Sequence, residues 1–201
     1  MLTNLKPLLF ISLIILLNIG IYFTAVSTQS VDRVFAECAR NSGRTAAAIN
    51  LFLLFLIGHY GLKSIYKEKY KLKLFKLLIT LFAVNHLIHF FFVYQNFNWQ
   101  KMELNIYDNL HGFVTFISLI VLPILVYRFN RLSKILYYYL VIYFFNVTYF
   151  IGISFYARYK PRIDEAYLHR IGILMMILAL LYVVFRVIVE TIKERNADNT
   201  Q

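Results

Sequence analysis

The sequence predicts an all-α polytopic membrane protein, a bundle of six transmembrane helices with both termini in the cytoplasm. Three observations carry this expectation. Only 15% of the 201 residues are charged while 60% are hydrophobic, against roughly 25% charged in a soluble domain, so a globule of this composition has too little polar surface to meet water. Apolar runs of about 15 to 20 residues recur along the whole chain, which is what a helix needs to cross the hydrocarbon core. The runs are continuous and do not alternate, and lipid tolerates no open sheet edge, so each span is read as a helix.

The first span is read at about 7–28. A cleaved signal peptide is the competing reading of residues 1–28, but the apolar stretch is longer than a usual signal core and Ala25-Val26-Ser27 only loosely resembles a cleavage site. The second span, 45–62, follows Asn41-Ser42-Gly43-Arg44, where Asn41 or Ser42 is placed to cap a helix start. The third, 74–96, follows a lysine-rich loop, and the fourth, 109–127, holds Pro123 near its inner end. The fifth runs over 134–156 and the sixth over 168–189, with Pro161 suited to a first helical turn ahead of the membrane. Residues 1–201 thus read as one transmembrane domain, without the roughly 50 extramembrane residues a small soluble domain would need.

Orientation follows from the basic residues. Of the 21 Lys and Arg, 13 fall on one side, dominated by Lys63, Lys67, Lys69, Lys71, Lys73 and Lys76, and 8 on the other, among them Arg33, Arg40, Arg44 and Lys101. Cytoplasmic loops carry the excess, which puts both termini of the multi-pass protein inside; a bacterial inner membrane is the expected location. The lysine cluster is read first as this topology determinant. Its second reading is attraction to anionic headgroups, worth about 1 kcal/mol per basic residue. The formal charge of +11 has the same origin, so the expected surroundings are the lipid bilayer and not nucleic acid. The single cysteine, Cys38, read in an outer loop over 29–43, excludes an internal disulfide framework, a Cys-x-x-Cys pair and a four-thiolate metal site.

Charged residues lie almost entirely outside the six runs, and a polar group inside a bilayer is costly enough to be examined first for function. The spans hold His59 in the second, His86 and His89 in the third, His111 opening the fourth and His169 opening the sixth. His86 and His89 are three residues apart and share a helix face, separated by about 4.5 Å of rise. With His111 and His169 they form an expected layer of four imidazoles in the outer half, whereas His59 reads as an interfacial residue. His111, Thr115 and Ser118, and likewise Tyr139, Tyr143 and Asn146, recur at i, i+4, i+7 and suggest a polar seam. Interhelical hydrogen bonding, at about 0.6 kcal/mol each, accounts for those hydroxyls and amides. Neutral imidazole is the usual axial ligand of b-type haem, which needs two rings facing each other between apolar walls. A histidine site without carboxylates suits haem or copper better than magnesium or calcium. The candidate cofactor-binding residues are therefore His86, His169, His89 and His111.

Ser42-Gly43-Arg44, Lys73-Leu74-Phe75-Lys76, Leu81-Phe82-Ala83-Val84-Asn85-His86 and Leu168-His169-Arg170 resemble the ferric-reductase-like transmembrane domain family. That family includes the haem-binding membrane subunit of the methionine sulfoxide reductase system, and the resemblance covers roughly residues 42 to 187. It implies a six-helix b-type cytochrome that passes electrons from a cytoplasmic or quinol donor to an acceptor on the outer side. By the same resemblance His86 and His169 are axial ligands of the haem iron, and the chain is the membrane redox subunit of an oxidoreductase. Two departures bear on this. The family's second ligand helix is span five, which here carries tyrosines and no histidine, and the matching Leu-His-Arg phrase opens span six. Larger members place a second histidine thirteen residues along each ligand helix, where this chain has Trp99 and Tyr182, so the resemblance implies one outer haem and not two. Because paired ligands must lie at one level, His89 with His111 or His169 stays open as an alternative.

Two other functions stay open beside haem-mediated electron transfer. One is a non-enzymatic assembly or scaffold subunit whose histidines are structural. The other, disfavoured by spans nearly free of charge and without broken helices, is a small transporter. No Gly-rich nucleotide-binding turn is present, so reductase activity would require a redox partner protein or a quinol.

Overall fold

The computed structural model describes residues 7–103, 105, 107, 109–157 and 166–198. Pro161 and the basic residues Lys6, Arg158, Lys160 and Arg162, used above for a helix start and for orientation, lie outside them. The helices are α1 (Pro7–Thr28), α2 (Val34–Tyr60), α3 (Leu62–Lys67), α4 (Lys69–Trp99), α5 (Leu110–Arg128), α6 (Lys134–Ala157) and α7 (Ala166–Asp198), with a 3-10 turn at Val31–Arg33. All but the short α3 are long and apolar enough to cross a membrane, and no strand occurs among the described residues. The chain is an all-α, multi-pass integral membrane protein.

Two boundaries in the first half of the chain differ from expectation. Helix α2 starts eleven residues before position 45, at Val34, so Asn41 and Ser42 lie inside it and cap nothing. The polar groups that marked a loop are partnered along the helix surface: Arg40 Nη1 meets Glu37 Oε2 at 2.5 Å, Asn41 Nδ2 donates to Glu37 Oε1 at 2.7 Å, and Arg44 Nη1 donates to Asn41 Oδ1 at 3.1 Å. Pairs three and four residues apart are neighbours on a helix, and these offset each other there. Cys38 is accordingly a buried helical residue and not a loop thiol. The expected 63–73 loop is also largely helical, with α3 and the start of α4 separated by Glu68, whose carboxylate is hydrogen-bonded by Lys71 Nζ.

The helices cluster into two compact units, residues 1–49 with 76–128 and residues 50–75 with 129–201, so α2 and α4 contribute to both. In the first unit, Ala25 of α1, Val34, Cys38 and Ala39 of α2, and Phe92 of α4 form one buried cluster. Its small residues let helix backbones approach closely, which is how helices associate where lipid removes the hydrophobic drive between them. Phe90 of α4 stacks on Phe116 of α5 with ring centroids 4.3 Å apart.

The second unit buries one face of α6, Leu136, Leu140, Tyr143, Phe144, Val147, Thr148 and Ile151, at the three-and-four spacing of a helix stripe. Phe75 of α4 packs on Phe144, and Asn50 of α2 donates to Thr148 Oγ1 at 2.9 Å. On α7 the buried side chains Met176, Ala179, Val183 and Glu190 share one face, while Leu174, Ile177, Leu181 and Phe185 are exposed. In a bilayer those exposed residues meet acyl chains.

Between α2 and α3, Gly61 has φ +78°, a conformation that L side chains rarely adopt, and a Cβ there would collide with Glu190 Oε1. Gly61→Ala is expected to destabilise the protein by more than about 1 kcal/mol. Gly20→Ala, in the helical interior of α1 with open space around its Cβ position, should leave stability unchanged or slightly higher. Thermal unfolding of both variants in detergent checks the contrast.

Candidate functional site

Histidines 86 and 89 stand on the buried face of α4 in the first unit, in continuation of Phe82 and Asn85. His86 is buried, with its ring 6.0 Å from Phe82, 6.1 Å from Phe116 of α5 and 5.4 Å from His89. Its Nδ1 is buried and has no hydrogen-bond partner among the described residues. His89 is half-buried against α2. A Cβ at Gly43 would lie 3.1 Å from His89 Cε1, so the glycine is where α2 gives the ring room.

The hydrogen bonds of Ser42 bear on the tautomer of His89. Ser42 Oγ lies 2.7 Å from the Cys38 carbonyl and 3.0 Å from His89 Nδ1. A hydroxyl has one proton, and a carbonyl can only accept, so the shorter contact takes the Ser42 proton and leaves the oxygen to accept from Nδ1–H. Neutral His89 then carries its proton on Nδ1 and its lone pair on Nε2. A ligating histidine is normally prepared this way, since a fixed acceptor on one ring nitrogen orients the other toward the metal.

The same serine anchors a chain of amides. Asn85 Nδ2 donates to the Ser42 carbonyl at 3.0 Å, while Asn18 Nδ2 of α1 donates to Asn85 Oδ1 and to the Ile14 carbonyl, both at 2.9 Å. Three helices are thus pinned at the level of the histidine pair. Among the described residues no three His, Cys, Asp or Glu side chains are grouped to hold a metal ion.

The other expected residues are placed as follows. His111 is the second residue of α5 and is exposed, and of its stripe only Thr115 is fully buried. His169 belongs to the second unit, where it is 3% exposed on α7 and its ring meets Phe155 of α6 edge-on at 5.3 Å. His59, at the end of α2, is exposed beside Tyr60, with Tyr182 Oη 3.4 Å from its Nδ1. The structure therefore brings His86 and His89 together.

A second buried polar group was not anticipated. Glu190 of α7 accepts from Tyr137 Oη at 3.2 Å and faces Arg186 Nε at 3.7 Å, and Arg186 in turn donates to the Tyr60 carbonyl. Placing the end of span six at residue 189 put Glu190 in water, whereas α7 continues to Asp198. The legible signal was an arginine and a glutamate four residues apart, the spacing of a helical ion pair.

The chain matches no family model, no curated protein and no solved structure.

Ser42→Ala removes the acceptor of a partly buried N–H and should cost about 1–3 kcal/mol. Ser154→Ala, which deletes a hydroxyl bonded to the Phe150 carbonyl of its own helix, should stay within about 0.5 kcal/mol of the parent. Equilibrium unfolding in mixed micelles distinguishes the two.

Proposed function

We propose that the protein is a b-type haem-binding electron-transfer protein of a bacterial inner membrane, with both termini cytoplasmic, passing electrons from a quinol or a partner redox protein to an acceptor on the outer side. The observation that carries this reading is the 3.0 Å contact between Ser42 Oγ and His89 Nδ1, which favours the Nδ1–H tautomer and so leaves Nε2 as the ligand atom, beside a neighbouring His86 set among Phe82 and Phe116. Bound haem would supply one-electron redox chemistry. The protein's own part is to hold the ring nitrogens, keep water away and separate donor from acceptor.

The residues fit such a group in one respect and constrain it in another. His86 and His89 pack directly on each other from one helix, so they cannot be the two axial ligands of one haem, which must lie between its imidazoles. One α4 ligand and one from elsewhere are required. On α4 we assign that role to His89, because Ser42 orients it, whereas His86 Nδ1 has no acceptor among the described residues. Of the remaining candidates His169 is buried in the second unit and His111 is exposed, and it is the family resemblance that names His169 as the second ligand.

The Asn18, Asn85 and Ser42 network favours a second reading, a scaffold or assembly subunit whose histidines only join helices. One experiment separates them. Protein purified from haem-supplied cells should show a Soret band and redox-dependent visible bands. His89→Ala and His169→Ala should abolish them, His111→Ala should retain them, and Ser42→Ala should weaken haem retention about tenfold. A colourless parent protein, or full haem in His89→Ala, would contradict the reading and leave the scaffold in its place.

A further inference from the structure

The second unit contains a cavity of about 530 Å³ where α3, the 129–133 connection and the start of α6 meet Thr191 of α7. Four cations line it: Lys63 and Lys67 of α3, Arg131, and Lys134 at the start of α6; among the described residues no carboxylate does. Like charges gathered around one cavity raise each other's energy, and an anion between them reverses the sign of that term.

Its neutral groups are of the matching kind. Ser133 accepts from the Leu136 N–H at 3.2 Å and so caps α6, whose positive dipole end therefore opens on the same space. Tyr66 lines the wall, and its hydroxyl oxygen is buried without a hydrogen-bond partner among the described residues. Burial pushes the Tyr66 phenol up to about 12, so it stays protonated and able to donate. Tyr137, also in the lining, lies under Lys63 Nζ at 5.1 Å and gives its hydroxyl proton to Glu190, which is already faced by Arg186. The Glu190 carboxylate that Tyr137 reaches is thus balanced within the protein.

This arrangement divides the lysine cluster seen in the sequence. Lys63 and Lys67 line the cavity, whereas Lys71 is engaged by Glu68 and by the Tyr60 ring at 4.2 Å, and Lys76 lies over Tyr127. Arg131 offers a planar fork and the lysines offer point charges, the combination that recognises phosphate. The volume exceeds that of a bare phosphate and admits an attached glycerol or sugar. We infer that this cavity is a binding site for a phosphate ester. Lys134 opens one candidate span and Thr191 lies near the end of another, so the site sits at the membrane boundary. A lipid headgroup and a soluble phosphate can both reach it. The inference is independent of the haem reading.

The test uses the full chain in phosphatidylcholine-containing micelles, titrated calorimetrically with short-chain phosphatidylglycerol and, separately, with inorganic phosphate. Arg131→Gln and Lys134→Gln should each weaken binding about fivefold, Lys134→Arg should preserve it, and Lys69→Gln, outside the cavity, should change it less than about twofold. Phosphatidylglycerol binding that equal inorganic phosphate does not displace identifies a lipid headgroup. Saturable inorganic phosphate binding that displaces the lipid identifies a soluble ligand. Either result supports the site. Binding of neither probe, or equal losses in Arg131→Gln and Lys69→Gln, or in Lys134→Arg and Lys134→Gln, would overturn it.

Discussion

Hydrocarbon offers no hydrogen-bond partner, and the arrangement of polar side chains in this protein follows from that. On α1 the leucines and isoleucines are exposed and the buried residues are Asn18 and Ala25, the reverse of a helix on a soluble protein. Asn18 is buried because Asn85 and the Ile14 carbonyl can accept its protons there. Asn50 Nδ2 donates to Thr148, and Glu190 accepts from Tyr137 opposite Arg186, in the second unit. Each such bond contributes little by itself, about 0.6 kcal/mol on average. Their weight lies in the cost of breaking one, since the abandoned group has no water to turn to.

The proposed chemistry grows from that constraint. A serine in a helix interior ordinarily bonds back to the carbonyl four residues earlier, which is neutral or mildly unfavourable for the helix. Here that ordinary habit uses up the Ser42 proton and makes its oxygen an acceptor, and the acceptor fixes the protonation of His89. Gly43, the next residue, leaves space for the imidazole against α2. Two neighbouring histidines consequently differ: His89 has an oriented ring, and His86 is buried among aromatic rings with an unsatisfied Nδ1. The same logic explains why a basic cavity forms at the ends of the helices in the second unit. There, lysines and Arg131 reach the boundary where water and headgroups can meet their charges.

The membrane class and six spans were legible because they rest on composition and run length, which the bilayer thickness converts directly into helices. The pairing of His86 with His89 was legible from a spacing of three. The start of α2 was not, because Glu37, Arg40 and Arg44 read as loop punctuation until the Arg40–Glu37 pair and the Arg44–Asn41 hydrogen bond on one helix are seen. Cys38 was misplaced with them. Glu190 was invisible for a related reason. A single carboxylate just past an apolar run looks solvated, and although Arg186 stands four residues before it, nothing local reveals Gly61 and Tyr137 around it. The role of Ser42 was half legible. Its phrase was noticed, but the direction of a proton between Cys38 and His89 is a three-dimensional fact.

The central claim is that Ser42 holds neutral His89 as the Nδ1–H tautomer, with Nε2 as the ligand atom. The most direct measurement is nitrogen-15 NMR of histidine-labelled protein, without haem, in lipid nanodiscs at a pH where the ring is neutral, with His89→Gln used to assign its signals. The account predicts that the His89 pair shows a protonated Nδ1 and an unprotonated Nε2, and that Ser42→Ala shifts the balance toward the other tautomer. A protonated Nε2 in the parent protein would contradict it.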